Sequence, residues 1–259
     1  MKTILRWALR LIPRPWMIQF SYAAAPILGW WYRGNRYVDP IDQRGYRSFL
    51  SYGYGKMRDQ VLAPGTLSLE RHRLLWLFLQ QKTDFFTKPR TLMHVAPEQA
   101  FYHRFKAMEH LSVTSVDLYS PLADVKADLC ALPFADHTFD VIFCNHVLEH
   151  IADDQKALSE MYRVLKPGGW GIFQVPQDLS REVTYSDDSI TDPKQRASIF
   201  GQYDHVRIYG KDYGERLAQA GFDVEMVDFT ATLTPSDIDR YRLAPGELIP
   251  WVHKPKISS

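Results

Sequence analysis

Two cysteines, Cys130 and Cys144, are all that 259 residues contain. Two thiols, both set among apolar neighbours, cannot make a disulfide framework, and they fit a reduced compartment such as the cytoplasm. An excess of one charge is also missing. The chain has 31 basic and 30 acidic residues, a formal net charge of +1. That balance removes the global electrostatic case for a nucleic-acid partner. No unbroken apolar run approaches the roughly 20 residues that a membrane-spanning helix needs. Trp16 to Tyr32 comes nearest, but Pro26 and Gly29 interrupt it. What is present in quantity is apolar residue, 46% of the chain, enough for an ordinary buried core.

One further absence is local. No acidic residue precedes Asp39, whereas Lys2, Arg6, Arg10, Arg14, Arg33 and Arg36 all do. Ile4, Leu5, Ala8, Leu9 and Ile12 share one face of a helix that Pro13 and Pro15 would end. Two readings stay open for residues 1–36. One is a helix lying on a membrane surface. The other is an arm that packs on the rest of the chain or on a second subunit. The arginines within the apolar stretch argue against a secretory signal. The expected location is cytoplasmic, with peripheral membrane contact through residues 1–36 as the open alternative.

Downstream, the pattern changes. Val141, Ile142, Phe143 and Cys144 form a short apolar run that needs cover on both faces, as in the centre of a parallel sheet. Similar strands are expected at Thr91–Ala96, Ser112–Asp117, Asp124–Ala127, Trp170–Val175, Phe222–Phe229 and Leu248–His253. Helices alternate with them. Asp153 is placed to cap one that carries Leu158, Met161, Tyr162 and Leu165 at helical spacing and that Gly168 ends. Asp212 and Glu215 read as a capping box, closed by Gly221. Ser68–Gln81 reads as a buried helix. Alternating strands and helices predict an α/β fold, a seven-stranded, mostly parallel sheet wound on both faces.

The order Asp128-Leu-Cys-Ala-Leu-Pro-Phe, Phe139-Asp-Val-Ile, Val147-Leu-Glu-His, Leu165-Lys-Pro-Gly-Gly resembles the second half of class I S-adenosylmethionine-dependent methyltransferases. Each piece is weak alone, and their succession over about forty residues is specific. A closer resemblance is to a bacterial methyltransferase group with an N-terminal zinc ribbon. It rests on Tyr46-Arg-Ser-Phe-Leu-Ser-Tyr-Gly and Ser68-Leu-Glu-Arg-His-Arg-Leu-Leu-Trp. The four positions of that group's Cys-x-x-Cys knuckles are here Asp39, Asp42, Ala63 and Thr66. A structural zinc site needs four nitrogen or sulfur ligands, so the ribbon is expected to persist without metal, held by aromatic packing. The expected division is residues 1–66 for the arm and a small aromatic, basic, ribbon-like lobe, and residues 67–259 for a Rossmann-like methyltransferase domain.

The resemblance implies S-adenosylmethionine as cofactor, held at the carboxyl ends of the strands. Ordinary members open with an acidic residue and a Gly-x-Gly-x-Gly turn. Here the turn is His94-Val-Ala-Pro-Glu-Gln-Ala, with His94 at the acidic position and Ala96, Glu98 and Ala100 where glycines are usual. Glu98 can face the positive sulfonium or amino group of the cofactor, or it can serve the following helix. Arg71, His72 and Arg73 can reach an anion, or form a solvated first turn. Asp117, with Leu118 beside it, can accept both ribose hydroxyls. Asp128 can accept from the adenine amino group, with Leu129 against the ring. Asn145 and His146 would line the methionine part.

Methyl transfer from a sulfonium needs an aligned acceptor and, for a hydroxyl, a base. His146, His150 and His205 are the candidates. His146 and His205 are the two assigned to the site, His205 with a structural turn as its alternative, and His150 is read as structural. The insertion Gln177–Gly201 can serve as an acceptor lid. No metal cluster is expected, although Asp187, Asp188 and Asp192 stand close together. The expected acceptor is a small molecule or a saccharide or cell-envelope precursor, methylated at oxygen. A binding module that has kept the fold and lost the chemistry is one rival, and a nucleic-acid methyltransferase using the basic arm is another. No Asn-Pro-Pro-Tyr type motif follows the fourth strand, which speaks against base-amine methylation.

Overall fold

The computed structural model describes residues 14–53 and 57–256, with side chains of the first helix from Phe20 onward. The amphipathic helix expected over residues 4–12 lies outside the described residues. The chain divides into two compact units, Met1–Thr83 with Thr230–Pro245, and Asp84–Phe229 with Gly246–Ser259.

In the first unit a helix, α1 (Arg14–Trp31), leads into two antiparallel hairpins. These are β1 (Arg33–Asp39) with β2 (Arg44–Tyr46), and β3 (Leu50–Tyr52) with β4 (Arg58–Leu62). Pro26 and Gly29, which interrupt the apolar run, both lie within the continuous helix α1. Gly29 is there for a contact instead. A Cβ on it would stand 3.0 Å from Gly65 Cα, so helix and loop backbones approach as only glycine permits.

The four positions compared with knuckle cysteines make polar and aromatic contacts. Asp39, fully buried, accepts from the Thr66 hydroxyl, from Ser68 Oγ at 2.9 Å and from the Ile41 amide at 2.9 Å. Asp39 and Thr66 are thus joined directly. Asp42 accepts from Tyr46 Oη at 2.6 Å, and Ala63 packs in a cluster with Tyr37, Tyr46 and Phe49. Helix α2 (Glu70–Lys82) follows, its Leu74–Leu79 face buried all round as expected. Arg73 is no anion ligand. It is fully buried, and its guanidinium donates to the carbonyls of Val61, Ser68, Tyr241 and Arg242 at 2.6–3.0 Å. Burial pushes it down to about 10. His72 Nδ1 accepts from the Leu69 amide at 3.0 Å and so caps the helix.

The second unit is an α/β sheet. Its elements are β5 (Arg90–Val95), α3 (Tyr102–Lys106), β6 (Leu111–Val116), β7 (Phe139–Cys144), α4 (Asp154–Val164), β8 (Leu165–Ile172), β9 (Tyr185–Ser186), α5 (Pro193–Ile199), β10 (Arg207–Ile208), α6 (Tyr213–Gln219), β11 (Asp223–Val227) and β12 (Ile249–His253). Six strands make the main sheet in the order β11-β12-β8-β7-β5-β6. The four from β8 to β6 run parallel, and β12 is antiparallel to both its neighbours. The seventh strand, expected at Asp124–Ala127, is reduced to one bridge between Val116 and Val125. The reason is local. Asp124 Oδ2 accepts from the Ser115 amide at 2.8 Å, so a side chain occupies the donor that a ladder would use.

Period-two alternation explains why the central strands are buried on both faces. Met93, Val95, Ile142 and Cys144 join Leu158, Met161, Phe173 and Tyr213 in one core. His94 and Phe143, on the opposite face, meet Phe105 in an aromatic layer that Phe85 and Trp170 extend. Asp153 caps α4, accepting from the Lys156 amide at 2.9 Å. Gly168 does not end α4, which stops at Val164; its φ of +76° shapes a bulge within β8. The capping box at Asp212 and Glu215 is absent. Asp212 occupies the cap position, but its Oδ1 accepts from Thr184 N and Oγ1 at 2.7 and 2.6 Å. Gly221 closes α6 with φ +102°.

Candidate functional site

The parallel strands end on one edge, and the polar residues predicted for the site collect there. After β5 comes the turn without glycine. Ala96 nonetheless takes φ +45°, the left-handed conformation that a glycine adopts freely and that costs an L-residue roughly 1–2 kcal/mol. The chain keeps the shape of the turn and bears the strain. His94 is 1% exposed and belongs to the aromatic layer, and its Nε2 accepts from the Glu98 amide at 3.4 Å. It props the turn from beneath. Glu98 Oε2 accepts from Asn145 Nδ2 at 3.1 Å, joining the turn to the end of β7. Asn145 Oδ1 in turn lies 3.4 Å from the Gln174 amide.

Asp117 follows β6. Its Oδ1 accepts from the Tyr119 and Ser120 amides at 2.7 and 2.6 Å, which fixes the loop. Leu118 and Tyr119 beside it are exposed. Asp128 is exposed and accepts from the Cys130 amide at 2.8 Å, while Leu129 is buried. The Leu-Pro-Phe segment beyond is clamped by α4. Glu160 accepts from the Leu132 amide at 3.0 Å, and Arg163 donates to the carbonyls of Leu132 and Phe134. Asp140 is structural too. It accepts from Thr91 N and Oγ1 and pairs with Lys166 at 2.9 Å.

His146 also has a left-handed backbone, φ +54°, and such outliers gather at functional sites. Its side chain lines a cleft of about 170 Å³ together with Gln174, Gln177 and Glu247. Its Nδ1 lies 3.5 Å from Glu149 Oε1. His205 is reached from the same carboxylate, with Nε2 4.0 Å from Glu149 Oε1. His205 Nδ1 stands 3.0 Å from the Phe200 carbonyl, which can only accept, so Nδ1 carries the proton and Nε2 the lone pair. Burial pushes this imidazole down from its ordinary value, with Glu149 opposing. A second cleft, of about 290 Å³, contains Glu149, His205, Phe200 and Gln177.

The sequence reading passed over Glu149, which the structure places between His146 and His205. The insertion Gln177–Gly201 is folded: β9 pairs with β10, and Asp192 caps α5 through the Lys194 and Gln195 amides. Asp187 closes a turn with Ser189. These aspartates are turn and cap residues. The two thiols are free, and burial pushes both up, Cys144 far above its usual value.

Residues 103–173 match the family model described as a methyltransferase domain. That match spans 71 of the 259 residues. The sheet of this chain has the Rossmann-like form of class I methyltransferases. The ubiquinone/menaquinone biosynthesis C-methyltransferase UbiE of Klebsiella pneumoniae is 58% identical over 45 residues, 17% of this chain and 18% of that protein. The UbiE of a Ruegeria species is 40% identical over 86 residues, 31% and 34% respectively. This chain thus covers about a fifth to a third of the length of these relatives. Among solved structures, the [4+2]-cyclase SpnF superposes with a TM-score of 0.50 at 16% identity, covering 85% of this chain and 92% of that one. That likeness speaks to fold. The part of the methyltransferase domain matched by the family holds Asp117, Leu118, Asp128, Leu129, Asn145 and His146. The turn at 94–100 and His205 lie outside it.

Proposed function

We propose that the chain transfers a methyl group from S-adenosylmethionine to a hydroxyl of a small-molecule acceptor, of saccharide or cell-envelope type. The observation that carries this reading is the row of polar groups on one sheet edge: Glu98 after β5, Asp117 after β6, and Asn145 and His146 after β7. The residues fit the cofactor. Asp117 offers one carboxylate oxygen to a ribose, Leu129 backs the adenine position beside Asp128, and Ala96 keeps the backbone course that glycine usually gives. His94 supports this turn from below. Bound S-adenosylmethionine supplies the electrophilic methyl group.

The protein's own share is alignment and proton removal. His146 lines the cleft, and Glu149 at 3.5 Å stabilises the imidazolium that forms when His146 takes the acceptor proton. His205, also near Glu149, is the second histidine of this group. Methyltransferase assay with labelled cofactor and a panel of hydroxylated acceptors tests the reading, and the methyl carbon shift in the product separates oxygen from carbon as the target. The UbiE relatives, named as C-methyltransferases, favour carbon as the second reading. Cofactor binding without turnover on any acceptor would support the rival of a fold kept for binding. The cyclase neighbour is a reminder that fold alone does not dictate the chemistry.

No helix among the described residues is long and apolar enough to cross a membrane. Phe20, Ile27, Trp30 and Trp31 of α1 are exposed, which supports peripheral membrane contact through residues 1–36. Sedimentation with anionic vesicles tests this, with a Trp30→Ser, Trp31→Ser variant expected to stay in the supernatant.

A further inference from the structure

Glu149 has a problem of charge. Its side chain is 2% exposed, and its Oε2 has no hydrogen-bond partner. A buried carboxylate without a cation is costly, of the order of several kcal/mol. The nearby permanent cations are committed elsewhere. Arg207 pairs with Asp154 at 2.5 Å, and Arg216 pairs with the same carboxylate at 2.7 Å. Among the described residues, the groups at ion-pair distance from Glu149 are two histidines, His146 and His205.

His150 completes the arrangement. One ligand-type atom from each of Glu149, His150 and His205 lies within 4.8 Å of the others. The rings of His150 and His205 meet edge to face, with centroids 4.7 Å apart. Both are held through Nδ1 by acceptors, His205 by the Phe200 carbonyl at 3.0 Å and His150 by the Asp204 carbonyl at 3.3 Å. Each therefore has its lone pair on Nε2. An imidazole whose other nitrogen donates to a carbonyl is how metal-ligating histidines are normally oriented. His205 Nε2 is itself buried with no hydrogen-bond partner. The Val206 amide donates to the Glu149 carbonyl at 2.9 Å, which holds the two segments side by side.

We propose that Glu149, His150 and His205 bind a divalent first-row transition metal ion. Two imidazole nitrogens and one carboxylate suit Zn²⁺, Fe²⁺ or Co²⁺ rather than Ca²⁺ or Mg²⁺. Bonds of about 2.0–2.2 Å put neighbouring ligand atoms about 3–3.5 Å apart. The cluster must therefore close by about 1 Å, and His150, about one-third exposed, can turn inward. Three protein ligands leave coordination positions for water or a bound molecule, and the cleft of about 290 Å³ opens there. The metal site shares Glu149 and His205 with the methyl-transfer reading, and its binding test needs neither cofactor nor acceptor.

The test is titration of untagged protein with Co²⁺, followed by visible absorption and calorimetry, with Zn²⁺ as competitor and neither cofactor nor acceptor present. One equivalent of Co²⁺ is expected to bind, with absorption bands of nitrogen and oxygen ligation that Zn²⁺ abolishes. Glu149→Gln and His150→Ala are each expected to weaken binding at least tenfold, while His103→Ala, an exposed histidine elsewhere, leaves it unchanged. If Glu149→Gln does not fold, His150→Ala, at a partly exposed position, still decides. No binding by the parent protein, or equal binding by parent and His150→Ala, would overturn the proposal.

Discussion

Glu98 Oε2 and Asn145 Nδ2 meet at 3.1 Å across the ends of β5 and β7. One carboxylate thus stands over the sheet edge where glycines would leave open space. Its negative charge suits a cationic ligand. Glu98→Gln is expected to weaken S-adenosylmethionine binding about tenfold, roughly the 1.4 kcal/mol of a hydrogen bond to a charged group. The comparison with S-adenosylhomocysteine locates the charge. If Glu98 faces the sulfonium, the neutral thioether loses less; equal losses would move Glu98 to the amino group, and no loss to either would remove it from the site.

Asp117 gives a cleaner substitution than alanine allows. Its Oδ1 holds the Tyr119 and Ser120 amides, and asparagine keeps that acceptor. Asp117→Asn is expected to leave the melting temperature near that of the parent and to cost about 1–3 kcal/mol in cofactor affinity. Unchanged affinity by calorimetry would place the ribose elsewhere.

Acid should loosen the clamp on the Leu-Pro-Phe segment. The Arg163 guanidinium holds the Glu160 carboxyl at about 2, below its ordinary 4.5, with the Leu132 amide and Lys156 helping against burial. A folded-state value below the unfolded one means that the native state binds fewer protons. The stabilisation is complete above about pH 4.5 and is lost as pH falls towards 2. Glu160→Gln is expected to flatten that part of the stability profile, on the order of 1–2 kcal/mol after solvent screening. Parallel profiles in urea titrations from pH 6 to about 3 would contradict it.

The hairpin lobe makes its own demand. A Cβ on Gly65 would lie 3.0 Å from Asp42 Oδ2 and closer still to Tyr46 Oη. Gly65→Ala is expected to destabilise the protein by about 1–3 kcal/mol, read from the denaturant midpoint. A neutral result would mean that the Asp42–Tyr46 pair does not hold the lobe.

The central strands were legible because parallel strands buried on both faces leave continuous apolar runs, as Val141 to Cys144 does. The polar edge was legible for the same reason, since Asn145 and His146 follow that run directly. Asp124–Ala127 misled because nothing in its pattern shows that Asp124 will take the Ser115 amide. The contact between Gly29 and Gly65 was not legible, since it depends on a loop more than thirty residues away. Asp212 sits at the expected cap, but its carboxylate serves Thr184, which pattern alone does not reveal. Glu149 and His205 are brought together by the pairing of Val206 with the Glu149 carbonyl. No spacing rule links them in sequence.

Calorimetric titration with S-adenosylmethionine tests the central claim most directly, because everything at the carboxyl edge depends on whether the strained turn at Ala96 admits an adenosyl sulfonium. The expected result is saturable one-to-one binding, weakened by Asp117→Asn. Absence of binding up to millimolar cofactor, in protein shown to be folded, would contradict it.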